Sequence, residues 1–369
     1  MTRTALRRAI RNALWKAGIT SSFPSPNPSL RLPPVWRAEF ANGAEILGAV
    51  NDEVPTTAIQ VGIRAGQKNE EMGNLGLASL TAAMMDETTE MSSKEEISNE
   101  LQKLGSSISF SSGNTYTSMS IRSLTDNLDE TLAIAREKLM MPAFTEADFA
   151  RVKDQVIQGI EFSKKQPSTV ASNVFSRLVF GDQNTYAFPD SGTLESVASL
   201  TLDDVKAFYA AHYSPQITEI IAVSNLDEGE MLPKLETAFS DWAGPTVASP
   251  AINPFPALAE NTLYLIDKPG AAQSEIRIGN RALPYDATGE YYRAGLMNYA
   301  LGGAFNSRIN INLREDKGYT YGARSSFYGG LRPGPFVASS AVRTDVTAES
   351  VIEFMSDGTI LSANENFCR

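Results

Sequence analysis

The sequence has 369 residues, of which 42% are hydrophobic and 20% charged, a composition typical of a globular protein of about two domains. Its formal net charge of −11 argues against nucleic acid and anionic membranes as partners. A single cysteine, Cys368, excludes a disulfide or a thiolate zinc site within the chain. No apolar run approaches the roughly 20 residues that span a bilayer.

The first 35 residues are basic and rich in proline. No acidic residue appears before Glu39, and Leu6, Ile10 and Leu14 recur at every fourth position, which predicts an amphipathic helix followed by an extended linker. An Arg-rich, acid-poor start is typical of a mitochondrial transit peptide. We favour the alternative, in which residues 1–35 are a connector that joins the folded part of the chain to something upstream.

Alternating and helical patterns predict a first domain at residues 36–250. An Asn42-Gly43 pair predicts a hairpin turn between the first two strands. Strands are expected at 36–40, 44–50, 58–63, around 108–110 and 119–121, and at 217–223. Helices are expected at 75–85, 93–104, 128–139, 145–164 and 201–212. Ser93, Thr145 and Thr201 are the capping residues expected to begin three of them.

A second domain is predicted at residues 257–369, after a proline-rich linker. The order strand, strand, helix begins again, with strands expected at 263–266 and 276–278 and helices at 288–301 and from 347. We therefore predict an α+β fold made of two duplicated domains, each a mostly antiparallel sheet packed with helices. Because periodicity is lost after about residue 356, we interpret the second domain as truncated or frame-shifted, with a short natural tail as the alternative.

Metal chemistry is limited by the histidine count. Catalytic zinc generally takes three protein ligands drawn from His, Cys and carboxylates, and His212 is the only histidine. It follows a predicted helix and is expected to be a surface or helix-capping residue. An all-carboxylate magnesium or calcium site remains open, although no EF-hand, P-loop, dinucleotide or Gly-x-Ser-x-Gly pattern occurs. We expect no metal or cofactor in this chain.

The most unusual stretch lies between residues 301 and 322. Gly302 and Gly303 end a predicted helix and permit close backbone approach. Arg314 and Tyr321 follow, seven residues apart across a turn. A guanidinium and a phenol can both donate hydrogen bonds to a carbonyl oxygen or a developing oxyanion. From spacing alone, a buried Arg–carboxylate pair and a core tyrosine would be the more common interpretation.

Several short runs resemble the pitrilysin/insulinase family of zinc metallopeptidases, which includes the mitochondrial processing peptidase and the core proteins of the respiratory cytochrome complex. The runs lie at 75–78, 142–144, 206–215, 267–274, 301–303 and 313–321, in the order expected of the family. Catalytic members place a His-x-x-Glu-His motif directly after the first run. Ser79, Ala82 and Ala83 stand at those positions here, and Glu161 lies near the place of the third ligand.

The resemblance implies a non-catalytic half, similar to the C-terminal half of tandem bacterial members and to the accessory subunit of the processing peptidase. A zinc-bearing partner half, fused upstream or separate, would hold the metal. This chain would close the peptide-binding chamber, with Arg314 and Tyr321 contacting the substrate carbonyl and Gly302 and Gly303 as further substrate-binding residues. The edge strand at 108–110 lacks the family's Asn-Ala pair, which fits a half that does not hold the scissile peptide.

The same resemblance implies a cellular location and an alternative function. A bacterial periplasm or cell envelope is the implied location, and the mitochondrial matrix is the alternative. The competing function is a structural or assembly subunit like the respiratory core proteins, in which the arginine–tyrosine pair would be residual and proteolysis absent.

Overall fold

The computed structural model describes residues 33–248, 253–257 and 261–356. The predicted N-terminal helix, Cys368 and the stretch after residue 356 lie outside these ranges. From Trp36 onward the chain forms one compact unit, which contains two β-sheets. Below, the described residues 36–248 are called the first domain and 261–356 the second domain.

The first sheet has six strands in the order β1-β2-β6-β3-β5-β4. They are β1 (Val35–Glu39), β2 (Glu45–Val50), β3 (Thr56–Ile63), β4 (Ser107–Ser112), β5 (Thr117–Leu124) and β6 (Thr218–Ser224). β2 and β6 run parallel, whereas β6-β3-β5-β4 is antiparallel throughout. The predicted hairpin turn is confirmed: Gly43 has a φ of 91°, and the Phe40 N–H donates to the Ala44 carbonyl at 3.0 Å.

Helices cover one face of this sheet. They are α1 (Leu77–Met84), α2 (Lys94–Leu104), α3 (Leu128–Met140), α4 (Glu146–Ser163), α5 (Pro167–Phe180), α6 (Leu194–Ser199), α7 (Leu202–His212) and α8 (Glu228–Phe239). The capping residues Ser93, Thr145 and Thr201 begin α2, α4 and α7 as predicted. The pattern did not reveal α5, α6 and α8. Alternate residues of β3 and β5 are buried against the helices.

The second sheet has three antiparallel strands in the order β7-β9-β8. They are β7 (Gln273–Arg281), β8 (Thr320–Phe327) and β9 (Pro335–Arg343), with helices α9 (Glu290–Asn298), α10 (Arg308–Asn310) and α11 (Thr347–Ser356). The predicted strand at 263–266 is wrong, since these residues belong to no strand. The reason is that no described strand lies beside them, and a strand requires a partner for its backbone groups.

The two domains repeat one supersecondary unit. The trio β3-β5-β4 has the same strand order and pairing as β7-β9-β8. In both, the middle strand is followed by a Thr-Asp pair, at residues 125–126 and 344–345, that starts a short 3₁₀ turn and then a helix. The predicted α+β class, with duplicated and mostly antiparallel sheets packed with helices, is therefore confirmed, and the second copy is the smaller one.

Helix α5 of the first domain lies against β7 of the second. The Arg277 guanidinium on β7 donates to the Ser168 carbonyl at 3.4 Å. Arg281, further along the same strand, stacks over Phe255 with 5.0 Å between the guanidinium carbon and the ring centroid. It also donates to the Pro256 carbonyl at 3.0 Å. These contacts hold β7 against α5 and against the segment that carries Phe255 and Pro256.

Candidate functional site

The position of the family's zinc motif is occupied by side chains that cannot bind zinc. Ser79, Ala82 and Ala83 lie on helix α1, with Ala82 buried and the other two half-buried. Neither methyl groups nor a lone neutral hydroxyl can replace imidazole or carboxylate as zinc ligands. Within the described ranges, no three His, Cys, Asp or Glu side chains form a cluster that could hold a metal ion. A zinc ion therefore does not fit this helix.

The two other side chains considered for metal binding lie elsewhere. Glu161 is exposed on α4. His212 is the last residue of α7, where its ring packs against Phe208 with 4.6 Å between the ring centroids. Burial lowers the pKa of His212, so the ring is neutral at pH 7. The expected surface histidine is in fact half-buried, and its aromatic packing indicates a structural role.

Ionisable side chains contact helix α1 at both ends. The Glu70 carboxyl group accepts hydrogen bonds from the Gly76 N–H at 3.0 Å and the Ala78 N–H at 2.7 Å, at the start of the helix. Burial raises the pKa of Glu70 to about 8. Beyond the helix, Asp86 pairs with the buried Lys138 ammonium at 3.0 Å. These contacts fix both ends of helix α1.

The predicted glycine pair lies where a helix end meets β8. Gly302 is buried, and a Cβ atom added to it would lie 2.2 Å from the Ser325 hydroxyl oxygen and 2.4 Å from the Ser325 nitrogen. Only glycine permits this approach. Gly303 is exposed beside it. The predicted close backbone approach is confirmed for Gly302. The backbone that approaches it is that of strand β8 of this chain.

Arg314 lies in the helical turn that follows α10. Its guanidinium stacks on the Phe305 ring, with 4.4 Å between the guanidinium carbon and the ring centroid. Its Nε lies 3.3 Å from the Glu315 carboxylate, and about a third of its side chain is exposed. This neighbour is solvent-exposed, so the buried Arg–carboxylate pair of the competing interpretation is not present. The stacked arginine keeps donors available to a ligand.

Tyr321 is the second residue of β8, and 94% of it is exposed. It is therefore not the core tyrosine of the competing interpretation. Within the described residues, no hydrogen bond joins its hydroxyl to Arg314 or to another group. An exposed phenol on the edge strand of the second sheet is available to a partner or a ligand.

Next to Arg314 and Tyr321 is an open groove of about 540 Å³. Its lining includes the glycine pair, Phe305 and three charged side chains of the sheet, which are Glu275, Arg277 and Arg324. Glu275 and Arg277 pair with each other at 3.0 Å. Arg314 and Tyr321 do not line the groove themselves. They adjoin it through Phe305 and through Gly322, the residue after Tyr321.

Two buried asparagines, which the sequence pattern did not single out, hold this region in place. Asn298 donates to the Ser325 carbonyl at 2.8 Å. Asn310 accepts from the Ala323 N–H at 3.0 Å and donates to the Phe305 carbonyl at 2.6 Å. These bonds fix the turn that carries Phe305 against β8. A polar residue on the inner side of a predicted amphipathic helix is the signal that could have identified Asn298.

Comparisons with family models match two consecutive regions of the chain. Residues 47–185 match the family described as Insulinase (Peptidase family M16), and residues 199–367 match the Peptidase M16 inactive domain. The two regions together span most of the sequence. Among the described residues, no helix is long and apolar enough to cross a membrane.

Two related proteins carry different descriptions. A Bacillus subtilis protein named uncharacterized zinc protease YmxG is 23% identical over 291 residues, covering 79% of this chain and 69% of that protein. A Helicobacter pylori protein named non-peptidase homolog YmxG is 22% identical over 280 residues, covering 75% and 64% respectively.

Two solved structures share the fold. A peptidase M16 inactive domain from Pseudomonas fluorescens is 25% identical, with a TM-score of 0.79 over 88% of this chain and 80% of that chain. The periplasmic protease PqqL from Escherichia coli is 16% identical, with a TM-score of 0.70 over 91% of this chain but only 38% of the PqqL chain.

Proposed function

The chain belongs to the insulinase (M16) family of peptidases, and on that premise we propose that it is the non-catalytic half of a zinc metalloendopeptidase. It closes a peptide-binding chamber against a zinc-bearing partner half. The observation that carries the proposal is a contrast between two sites. Helix α1 has no zinc ligand at Ser79, Ala82 or Ala83, whereas Arg314 and Tyr321 keep donors free beside a groove.

The broad class is established: this is an inactive-type M16 domain. Such a chain must obtain its metal, and the water that the metal activates, from another polypeptide segment. The PqqL chain supports a fused arrangement, since this chain spans only 38% of it. Separate subunits are the other arrangement consistent with the proposal.

In the closed chamber, Arg314 and Tyr321 donate hydrogen bonds to the scissile carbonyl oxygen. Phe305 orients the guanidinium by stacking on it, and the Tyr321 hydroxyl already faces outward. Negative charge grows on that oxygen as the carbonyl carbon becomes tetrahedral, so the bonds strengthen in the transition state. Removing one such donor typically raises the barrier by about 2.7–4 kcal/mol.

The test uses this chain assembled with a partner half that carries an intact His-x-x-Glu-His motif. We expect Arg314→Ala and Tyr321→Phe each to lower kcat for a fluorogenic peptide by about 10²- to 10³-fold. The zinc content and the chromatographic size of the assembly should stay unchanged, because both side chains are exposed at least in part.

Tyr328→Phe is the matched control. Tyr328 is also an exposed tyrosine of the second domain, and it lies outside the proposed donor pair. We expect its kcat to equal that of the wild type. If Arg314→Ala and Tyr321→Phe also leave kcat unchanged in an intact assembly, the proposed role of the pair is wrong.

The second candidate function is a structural or assembly subunit without proteolytic activity. The observation that favours it is the description of the Helicobacter pylori relative as a non-peptidase homologue. The same assembly separates the two functions. An assembly that forms with stoichiometric zinc but hydrolyses no peptide would support the structural function.

A further inference from the structure

Corresponding positions of the two sheets can be compared through the repeat. The run Ile-Gln-Val-Gly at 59–62 on β3 recurs as Ile-Arg-Ile-Gly at 276–279 on β7. Ser120 on β5 and Ser339 on β9 each lie five residues before the threonine of their Thr-Asp pair. Strand order and pairing are also shared. One row of residues across each sheet is therefore equivalent in the two domains.

These two rows differ in charge. In the first sheet, the row holds three neutral residues in register, Gln60, Ser120 and Ser109. In the second sheet, the equivalent row holds a serine between two arginines, Arg277, Ser339 and Arg324. The central serine is the same in both rows, whereas both flanking residues are cationic in the second. This local positive charge contrasts with the net charge of −11 of the whole chain.

The basic row lines the groove beside Arg314 and Tyr321. The charged residues of the groove lining are the two arginines of the row and Glu275, so the groove carries one net positive charge. Arg277 is already engaged, since it pairs with Glu275 at 3.0 Å and donates to the Ile276 carbonyl at 2.9 Å. Glu275 therefore neutralises Arg277 and leaves the other arginine of the row uncompensated.

Arg324 is exposed at the other end of the row. Across the described ranges, its guanidinium forms no ion pair and no hydrogen bond. The half-buried Ser339 hydroxyl beside it has no hydrogen-bond partner in those ranges either. A guanidinium can donate two parallel hydrogen bonds to one carboxylate, and a neighbouring hydroxyl can donate a third. The row thus offers a positive charge and unused donors to an anionic group that enters the groove.

We propose that the groove selects peptides that carry an acidic side chain, whose carboxylate binds Arg324 and Ser339. This rests on the proposed function, since it names the class of peptide that this half would hold in the chamber. Charge complementarity favours an acidic side chain over a neutral one and disfavours a basic one. Arg324 is thereby a specificity-determining residue, and the chemistry at the scissile carbonyl is left to other groups.

The place of Arg324 on β8 indicates where in the peptide the acidic residue lies. Arg324 follows Tyr321 by three residues on this strand, which is at most about 10 Å along it. An extended peptide has the same rise per residue. With the scissile carbonyl held at Tyr321, the acidic residue should lie within about three residues of the scissile bond.

The first test measures binding to the full chain without a partner. Three fluorescent peptides, neutral apart from one central Glu, Gln or Lys, are titrated and followed by fluorescence anisotropy. Their blocked ends leave the central side chain as the only possible charge. We expect the Glu peptide to bind about three- to tenfold more tightly than the Gln peptide, and the Lys peptide to bind most weakly. The preference for Glu should decrease in 0.5 M NaCl, because salt screens an exposed ion pair.

Arg324→Glu should reverse the order, so that the Lys peptide binds most tightly and the Glu peptide most weakly. Because Arg324 is exposed, the variant should fold normally, which circular dichroism checks. Arg122→Glu is the matched control. Arg122 is an exposed arginine on β5 of the first sheet, and its replacement changes the net charge of the chain equally. This variant should keep the wild-type preference for the Glu peptide.

The second test uses the assembly with a zinc-bearing half and separates this proposal from the proposed function. Arg324→Glu should change the ratio of kcat/KM between the Glu and Gln peptides, whereas Arg314→Ala should lower kcat for both. An assembly that hydrolyses neither peptide contradicts the proposed function, and the binding order on the chain alone still tests the groove.

Three outcomes of the binding test would overturn the selection of acidic peptides. They are no binding or equal binding of the three peptides to the wild type, an Arg324→Glu variant that still prefers the Glu peptide, and an Arg122→Glu variant that loses the preference as well. The last would show that net charge alone, and not the groove, decides which peptide binds.

Discussion

The two domains contain the same three-stranded unit, yet they bury very different amounts of apolar surface. In the described residues, the main core of the first domain holds 40 buried hydrophobic residues and that of the second holds nine. The first domain adds β6, β2 and helices from distant parts of the chain to the trio β3-β5-β4. The comparison indicates that the trio forms locally, whereas full burial requires segments that return over a long sequence distance.

The largest expected difference lies at the counterpart positions Ile46 and Leu263. Ile46→Ala removes buried methyl groups from a core and should lower the free energy of unfolding by about 2–5 kcal/mol. Leu263→Ala should change it by less than about 0.5 kcal/mol, because the side chain is already in water. Urea unfolding of both variants, followed by circular dichroism, measures the two values.

The same two variants can also contradict the difference in burial between the two domains. A Leu263→Ala variant that loses as much stability as Ile46→Ala would mean that residues 263–266 are buried in solution. In that event the difference between the two domains would be smaller than the structure indicates.

A second contrast lies at the start of the first helix in each domain. Glu70 accepts two backbone N–H groups before α1, and Asp286 accepts the Thr288 and Gly289 N–H groups before α9. Burial raises the pKa of Glu70 to about 8. Asp286 is exposed, and its backbone hydrogen bonds lower its pKa. The same arrangement thus produces opposite shifts.

The pH dependence follows from these signs. A raised pKa gives Glu70 a stabilising contribution that is complete below 4.5 and is lost as pH rises towards 8, by up to about 1.4 kcal/mol per pH unit. The lowered pKa of Asp286 gives a contribution that is present above its ordinary value of 3.8 and lost in more acidic solution. Urea unfolding across pH 3–9 measures both.

Glu70→Gln should flatten the stability loss between pH 5 and 8 and leave the acid limb unchanged. Asp286→Asn should do the reverse, by a small amount. Identical pH profiles for Glu70→Gln and the wild type would show that the carboxyl at α1 ionises normally, and the contrast between the two helix starts would then disappear.

The smallest expected effect compares two glycines of the second domain. Gly302→Ala places a methyl group against the Ser325 backbone and should cost about 1–3 kcal/mol. Gly295, on α9, has no heavy atom within 4 Å of an added Cβ, so Gly295→Ala should stabilise by about 0.5–1 kcal/mol. Thermal unfolding separates the two, and equal Tm values would show that β8 is not held tightly against Gly302.

Local sequence signals predicted most of the first domain. Asn42-Gly43 formed its hairpin, and Ser93 with Glu96 formed a capping box, because each of these depends on neighbouring residues alone. The pattern missed α5, which contacts the second domain through β7. It also predicted a strand at the apolar run 263–266, which pairs with no strand of the described residues.

The candidate site was likewise predicted only in part from the sequence. The absence of zinc ligands at Ser79, Ala82 and Ala83, and the presence of Arg314 and Tyr321, are facts of composition and spacing that need no coordinates. The roles of Arg314 and Tyr321 stay a prediction. Tertiary contacts alone revealed the Phe305 stack on Arg314 and the asparagine bonds that hold β8.

By itself, the sequence determined that no histidine pair could hold a catalytic zinc, that two copies of one α+β unit follow each other, and where most of their helices begin. Those properties depend on residue type and on short-range backbone preferences. Only the tertiary structure decided which apolar runs become strands and which carboxyl group is buried. Each of these depends on segments far apart in the chain meeting in space, which local pattern does not encode.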